Sequence, residues 1–417
     1  MTVLAITGPV ARARFERFAD GVAAAAAVSL PWSTSLTSIL IGMWLLCLLP
    51  TLDLTSLRQA LRVPAAYLPM ALFALTVIGM LWADVPMRER LAGAGPYVKL
   101  LVIPLLLWQF SQRDSGEKLL WAFLASATLL LAASWLLVVF PALNWRNPDW
   151  YRGIPVKDYI SQSGIFTLCV FALIERAWAE WNRDKTRAFI LCALACAFFA
   201  NIVFIASSRT SLVVVFVLFA LFGLVHLTRR GVLILAVAVV ALAAASWATS
   251  PYLRWRVGNI AGELTEFSST HDTSSGARLS FWKNSLTIIR DAPVIGHGTG
   301  STKTMFAKVT GVDPVAAGAA SNPHNQVFAV AIPLGVAGGL LLIAMWGAHF
   351  RLFWASNFAA WIGLIVVVQN IVSSMFNSHL LDFTQGWLYV WGVGVAGGMV
   401  LRRRALSAPP EAAHYHD

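Results

Sequence analysis

One histidine sits where the chain changes character. Ser321-Asn322-Pro323-His324-Asn325-Gln326 is polar, and Val327 to Gly339 follows as an apolar run without a break. Pro323 favours an extended Asn322 and a helix that starts just after it. His324 is therefore expected at the mouth of that helix, at the water boundary. An imidazole titrates near pH 6.5, so a neutral one accepts a proton at physiological pH. The competing reading is a helix-cap histidine bonded to Asn322.

The charged residues near other apolar runs divide in the same way. Arg209, in Ser207-Ser208-Arg209-Thr210-Ser211, occupies a tight turn between two long apolar runs. It reads either as an arginine reaching to an interface or as a receptor for phosphate oxygens, since the guanidinium fork binds two at once. Arg278 opens a stretch with apolar residues at 279, 281, 282, 286, 288 and 289, close to helical spacing. It is either a solvated loop arginine or a second phosphate clamp, and Arg254, Arg256 and Arg290 compete with it. Asp382, the only acid between Asp313 and Glu411, either orients a histidine or an arginine or caps a helix. Nearby His379 reads as an interfacial histidine. Lys157 either belongs to a solvated loop or meets a lipid headgroup. One base and several arginines, with no carboxylate cluster for a metal, suit cleavage of a lipid phosphate or pyrophosphate ester with arginine in place of a divalent ion. No metal site and no cofactor is expected. Gly296-x-Gly298-x-Gly300 lies outside any strand-to-helix context, so it reads as a flexible turn and not as a nucleotide loop.

These residues need a membrane scaffold. Of 417 residues, 58% are hydrophobic and 12% charged, against about 25% charged in soluble domains. The chain is an all-α polytopic membrane protein. Its net charge of +11 reflects basic loops retained on one side and implies no nucleic acid. Cys47, Cys169, Cys192 and Cys196 all lie in apolar runs and read as small buried hydrophobes. A span needs about 20 mostly apolar residues. Such runs number about twelve: 17–32, 34–51, 65–83, 93–110, 118–142, 160–178, 188–206, 210–228, 231–249, 324–347, 352–374 and 385–401. Lys and Arg counts put both termini in the cytoplasm, with Arg12, Arg113, Arg183, Arg230 and Arg402 on that side. The organisation expected is a bundle over 1–249 (spans 1–9), a large, partly helical loop over 250–323 between spans 9 and 10, a bundle over 324–404 (spans 10–12), and a cytoplasmic tail over 405–417. Within the loop, 251–267 reads as an amphipathic helix.

At this point the chain resembles the O-antigen ligases of the wider O-antigen ligase/polymerase superfamily. Their motif is His, then Asn, Ser or Gln, nine residues, Gly, two residues, Gly; here it reads His324, Asn325, Gly335, Gly338. The resemblance implies a GT-C-like glycosyltransferase architecture in the bacterial inner membrane, with the site and the large loop on the periplasmic face. It implies transfer of O-polysaccharide from undecaprenyl pyrophosphate to a sugar hydroxyl of lipid A–core, by an inverting, metal-independent route. His324 would be the general base, and Arg209 and Arg278 the pyrophosphate clamps. Asn325, Asp382 and Lys157 would support them. The donor lipid's tail would lie between helices among membrane lipids, and the protein would be a monomer. The alternatives are an O-antigen polymerase, a protein O-oligosaccharyltransferase using the same donor, or a lipid-linked sugar flippase or transporter. The last predicts inverted repeats, broken helices and charges at the midplane, none of which is evident in the chain. Gly335 falls eleven residues after His324, which on a continuous helix places it below the histidine on the same face. With Gly339 it forms a small-xxx-small pair.

Overall fold

The computed structural model describes residues 8–146, 151–255, 257–258, 274–311 and 322–407. The remainder of the expected helix over 251–267, and the tail beyond Ser407, lie outside the described residues. No β-ladder occurs among the described residues. The helices are α1 (Pro9–Ser29), α2 (Thr34–Leu48), α3 (Leu54–Leu61), α4 (Pro64–Ile78), α5 (Met87–Ala94), α6 (Val102–Gln112), α7 (Gly116–Val139) and α8 (Tyr159–Glu180). They continue as α9 (Lys185–Phe204), α10 (Arg209–His226), α11 (Arg229–Thr249), α12 (Ser274–Asp291), α13 (Thr302–Thr310), α14 (Gln326–Leu352), α15 (Phe358–Ser374) and α16 (Phe383–Ser407).

Each expected apolar run falls in the main on a helix. Among the described residues eight segments are long and apolar enough to cross a membrane, or nine if α3 and α4, bent by 84° at their junction, form one span. The expected count was about twelve. The shortfall has local causes: α1 carries charges in its first half, and α15 is only 17 residues long. The chain is thus an all-helical, multi-pass membrane protein.

The core is built on close helix approach. A Cβ on Gly394, Gly397 or Gly398 of α16 would collide with Leu106, Leu107 or Phe110 of α6. This stripe of glycines lets the two backbones meet, as small residues do between membrane helices. Some polar residues buried between spans are paired. Trp44 donates to Gln109 (2.8 Å), and Gln109 donates to Asp20 (2.7 Å).

One end of the bundle collects the residues singled out above. Asp158 caps α8 by accepting from the amides of Ile160 (2.9 Å) and Ser161 (2.8 Å). Ser163 in its first turn shares a hydroxyl bond with Ser211 of α10 (2.8 Å). Gln326, first in α14, accepts from the amide of Leu380 in the α15–α16 loop (3.0 Å). Arg113, Arg176 and Arg402 lie at the other end, each within 4 Å of an acid.

The largest departure from expectation is in α14. Pro333 sits inside it, and Gly335 has φ 64° and ψ −164°, which breaks the helix into two. In a bilayer each freed backbone group needs a partner. The segment after α12 supplies them. His297 N donates to Ile332 O (3.0 Å) and Gly298 N to Pro333 O (2.9 Å). Below the break, Val336 N donates to Pro293 O (2.8 Å). Gly296, Gly298 and Gly300 all have positive φ, and a Cβ on any of them would strike backbone of α14, Ala83 or α5. The glycine trio is therefore a fitted strap and not a flexible turn. Two expectations change with it. Gly335 does not continue the face below His324, and the small-xxx-small pairing fails because a Cβ at Gly339 would meet nothing within 4 Å.

Candidate functional site

The turn before α14 is built from short-range polar contacts. Asn322 accepts from the amide of His324 (2.9 Å) and from the hydroxyl of Ser378 (3.0 Å). Asn325 caps α14 by accepting from the amides of Val327 (2.9 Å) and Phe328 (3.2 Å), and donates to Met375 O (3.2 Å). The cap is thus Asn325, and His324 is left free of that duty. His324 pays for its position with φ 48°, a left-handed conformation costly for a residue with a Cβ. Strain of this kind persists only where the surroundings over-determine it and clusters at working sites. The other non-glycine residue with positive φ among the described residues is Lys157 (φ 54°).

The His324 ring has a defined orientation. Its Nδ1 lies 3.2 Å from Oδ1 of Asn377, an oxygen that also accepts from the amide of Ser378 (2.9 Å). An amide oxygen only accepts, so Nδ1 carries the proton and Nε2 presents a lone pair. Phe281 of α12 stacks on the imidazole with ring centres 5.4 Å apart. Arg278 stands three residues before Phe281, hence on the same face of α12. Burial, and then the charge of Arg278, hold the His324 pKa below the ordinary imidazole value; the Asn377 bond opposes them. At neutral pH the ring is a neutral base.

The α15–α16 loop adds a second histidine. His379 is buried, and its pKa is pushed down to about 4, first by burial and then by the charges of Arg278 and His324, against the pull of Asp158. His324, Arg278, Asp158 and His379 therefore share one electrostatic neighbourhood. Asp382 follows at the start of α16. Burial raises its carboxyl to about 6, with Lys99 opposing. No histidine or arginine lies within ion-pair distance of that carboxylate among the described residues. It is the main-chain oxygens of Leu381 (3.0 Å) and Asp382 (2.6 Å) that accept from Lys99. Lys157 turns inward: its ammonium donates to Leu30 O and to the hydroxyl of Thr384 (3.0 Å), and burial lowers its pKa to about 8. It joins α1, α8 and α16 and is not extended toward a headgroup.

Arg209 begins α10, two residues before Ser211 and so at this same end of the bundle. It lines a groove of about 320 Å³ whose other walls are nearly all apolar, Phe199, Phe216, Phe219 and Trp247 among them. The groove runs between α9, α10 and α11. His324, Arg278 and Asn325 are thus brought together, with Arg209 at the head of an apolar channel on the flank. Gly335 and Gly338 belong to the helix below, Gly338 packing on Leu334 and Val330 of its own helix.

Asn377 and Phe281 were not expected from the chain. The polar run Asn377-Ser378-His379 between apolar stretches was the available signal for the first; the aromatic partner of a loop helix had none. No group of three or more His, Cys, Asp or Glu able to hold a metal occurs among the described residues. No curated protein matches the chain. Residues 193–343 match the family model described as O-antigen ligase, a range that holds Arg209, Arg278, His324, Gly335 and Gly338.

Proposed function

We propose, on the match of residues 193–343 to the O-antigen ligase family model, that the protein transfers a glycan from undecaprenyl pyrophosphate to a sugar hydroxyl of lipid A–core. The carrying observation is the contact of His324 Nδ1 with Oδ1 of Asn377, which assigns the proton to Nδ1 and the base's lone pair to Nε2, on a ring whose pKa burial and Arg278 hold below the ordinary imidazole value. The acceptor oxygen attacks the anomeric carbon of the donor sugar from the side opposite the pyrophosphate. Its proton passes to Nε2 of His324. The bond from the anomeric carbon to the phosphate oxygen breaks, and undecaprenyl pyrophosphate leaves with the electron pair, so the centre inverts. Arg209 and Arg278 meet the charge that develops on the leaving group. The polyprenyl tail lies in the apolar groove headed by Arg209. The reaction face is periplasmic, both termini are cytoplasmic, and the short or bent helices α1, α3–α4, α15 and α16 complete about twelve crossings of a GT-C-like bundle.

Arg209→Ala and Arg278→Ala are each expected to lower transfer by about 10²–10³-fold, the cost of removing one charge-stabilising donor. Arg209→Lys should recover little, because a point charge does not reproduce the bidentate fork. Transfer by purified protein with lipid-linked donor measures this, and full activity of Arg209→Ala removes it from the mechanism. Transfer should also persist in EDTA; a loss restored only by Mg²⁺ would overturn the arginine-only account.

An O-antigen polymerase or a protein O-oligosaccharyltransferase would use the same donor chemistry. The identity of the acceptor separates them, read by glycan chain length in a deletion strain and by glycoprotein staining. A flippase has one feature in its favour, the broken α14, which is a hallmark of transporter sites. Here the break is filled by the protein's own 293–298 segment. Transfer by protein in detergent, where transport has no meaning, excludes a pure transporter.

A further inference from the structure

The His324 turn has a second flank that the donor does not use. A cavity of about 420 Å³ opens between α5, α13, the start of α14 and the α15–α16 loop. Asn322 and Ser378 line it, and they are the residues that bond the backbone of the His324 turn. The cavity therefore ends against the wall that holds the base. It shares no lining residue with the Arg209 groove, which is formed by α9, α10 and α11.

Its chemistry also differs. The Arg209 groove is apolar, whereas this cavity counts Glu89, Asp382, Lys303 and Thr302 among its lining residues. Glu89 and Lys303 face it with opposite charge, yet neither has an ion-pair partner within 4 Å among the described residues. Asp382 is half-buried and its carboxylate oxygens accept no hydrogen bond among the described residues, whereas its main-chain oxygen accepts from Lys99 and from the amide of Gly386. Carboxylates, an amide and hydroxyls held open around one space are hydrogen-bond partners in search of a polyhydroxylated ligand. A buried polar group left unmatched costs about 1–3 kcal/mol. An acyl or prenyl chain would leave every one of them unmatched; a sugar, which offers donors and acceptors on all sides, would not. The volume falls within the usual 300–1,000 Å³ of small-molecule sites.

We propose that this cavity is the acceptor subsite: it takes the hydroxyl-bearing terminal sugar of the acceptor glycan, with Glu89, Thr302 and Asp382 bonding its non-reacting hydroxyls and the attacking hydroxyl presented past Asn322 to His324. The inference rests on the transferase reading above and adds the direction of approach. Donor lipid enters from the α9–α11 side, acceptor sugar from the α5–α13 side, and the strained histidine turn stands between them.

The test is a steady-state comparison in detergent of the full-length wild type, Glu89→Gln and Lys303→Gln. The donor is undecaprenyl-pyrophosphate-linked glycan and the acceptor probe is deacylated core oligosaccharide, which removes any effect of lipid partitioning. Glu89→Gln should raise the acceptor KM about tenfold, the loss of one charge-assisted hydrogen bond. It should leave the donor KM and the kcat at saturating acceptor unchanged. Lys303→Gln is expected to shift the acceptor KM alone, in either direction. A wild type that transfers normally while both variants keep the wild-type acceptor KM overturns the subsite and leaves the transferase reading standing. A rise in donor KM with unchanged acceptor KM overturns it equally, since it would place Glu89 on the donor side. A wild type that transfers no glycan at all removes the transferase reading and the subsite with it.

Discussion

His324→Ala is expected to lower glycan transfer by about 10²–10⁴-fold, the range general-base catalysis supplies, with little change in the KM of either substrate. The structure gives the reason for that split. The imidazole bonds Asn377 and stacks on Phe281, while the turn is held by Asn322, Asn325 and Ser378 through contacts that need no ring. Removing the ring takes away a proton acceptor and leaves the cap of α14 in place. The pH profile separates this from a structural role. Protonated His324 cannot accept, so activity falls on the acid side as pH drops through its pKa. That pKa lies below the ordinary imidazole value because of burial and the Arg278 charge. The acid limb of kcat/KM should therefore lie below pH 6.5, and Arg278→Gln, measured on its residual activity, should move the limb upward. A limb that stays put in Arg278→Gln would detach the two residues, and wild-type ladders of ligated lipopolysaccharide in His324→Ala cells would end the base assignment.

How much of this was legible before folding depends on the range of each signal. Pro323 acts within a turn, so a helix start close to His324 was readable from the chain, whereas the cap itself, Asn325, was not read there. The apolar runs were readable too, because a helix that buries its own backbone bonds needs only length and composition. The partners of His324 were not. Asn377 lies 53 residues away, and Phe281 comes from α12; only tertiary packing brings them to the ring. Asp382 was expected either to orient a histidine or an arginine or to cap a helix, whereas the fold makes it a lining residue of a cavity with no histidine or arginine in ion-pair reach among the described residues. The glycines were misread for the same reason. A glycine's spacing in the chain does not reveal whether it permits a neighbour's approach or a backbone angle. Gly394 and Gly398 do the first, and Gly335 does the second.

That distinction makes Gly335→Ala the most damaging single methyl addition expected in the protein. Its φ of 64° with ψ −164° falls in a region essentially reserved for glycine, where other residues incur about 1–3 kcal/mol of strain. A Cβ there would also fall into the carbonyl group of Val294, which is backbone and has no rotamer to escape by. The strap would have to withdraw. Withdrawal would strip partners from Ile332 O, Pro333 O and the amide of Val336 in the interior of a membrane protein. A loss of about 3 kcal/mol or more is expected from strain and unmatched groups together, read as a lowered unfolding temperature in detergent and as new protease cleavage within 293–301. Gly296→Ala should behave alike, since its Cβ would lie 2.5 Å from the amide of Gly335. Gly339→Ala supplies the control. A Cβ there would meet nothing within 4 Å, and alanine is the better helix former by about 1 kcal/mol, so stability should hold or rise. If all three variants unfold together, the glycines serve helix packing in general. If only the first two fail, the strap locked into the broken α14 is what ties the large loop, and with it Phe281 and Arg278, to the His324 turn.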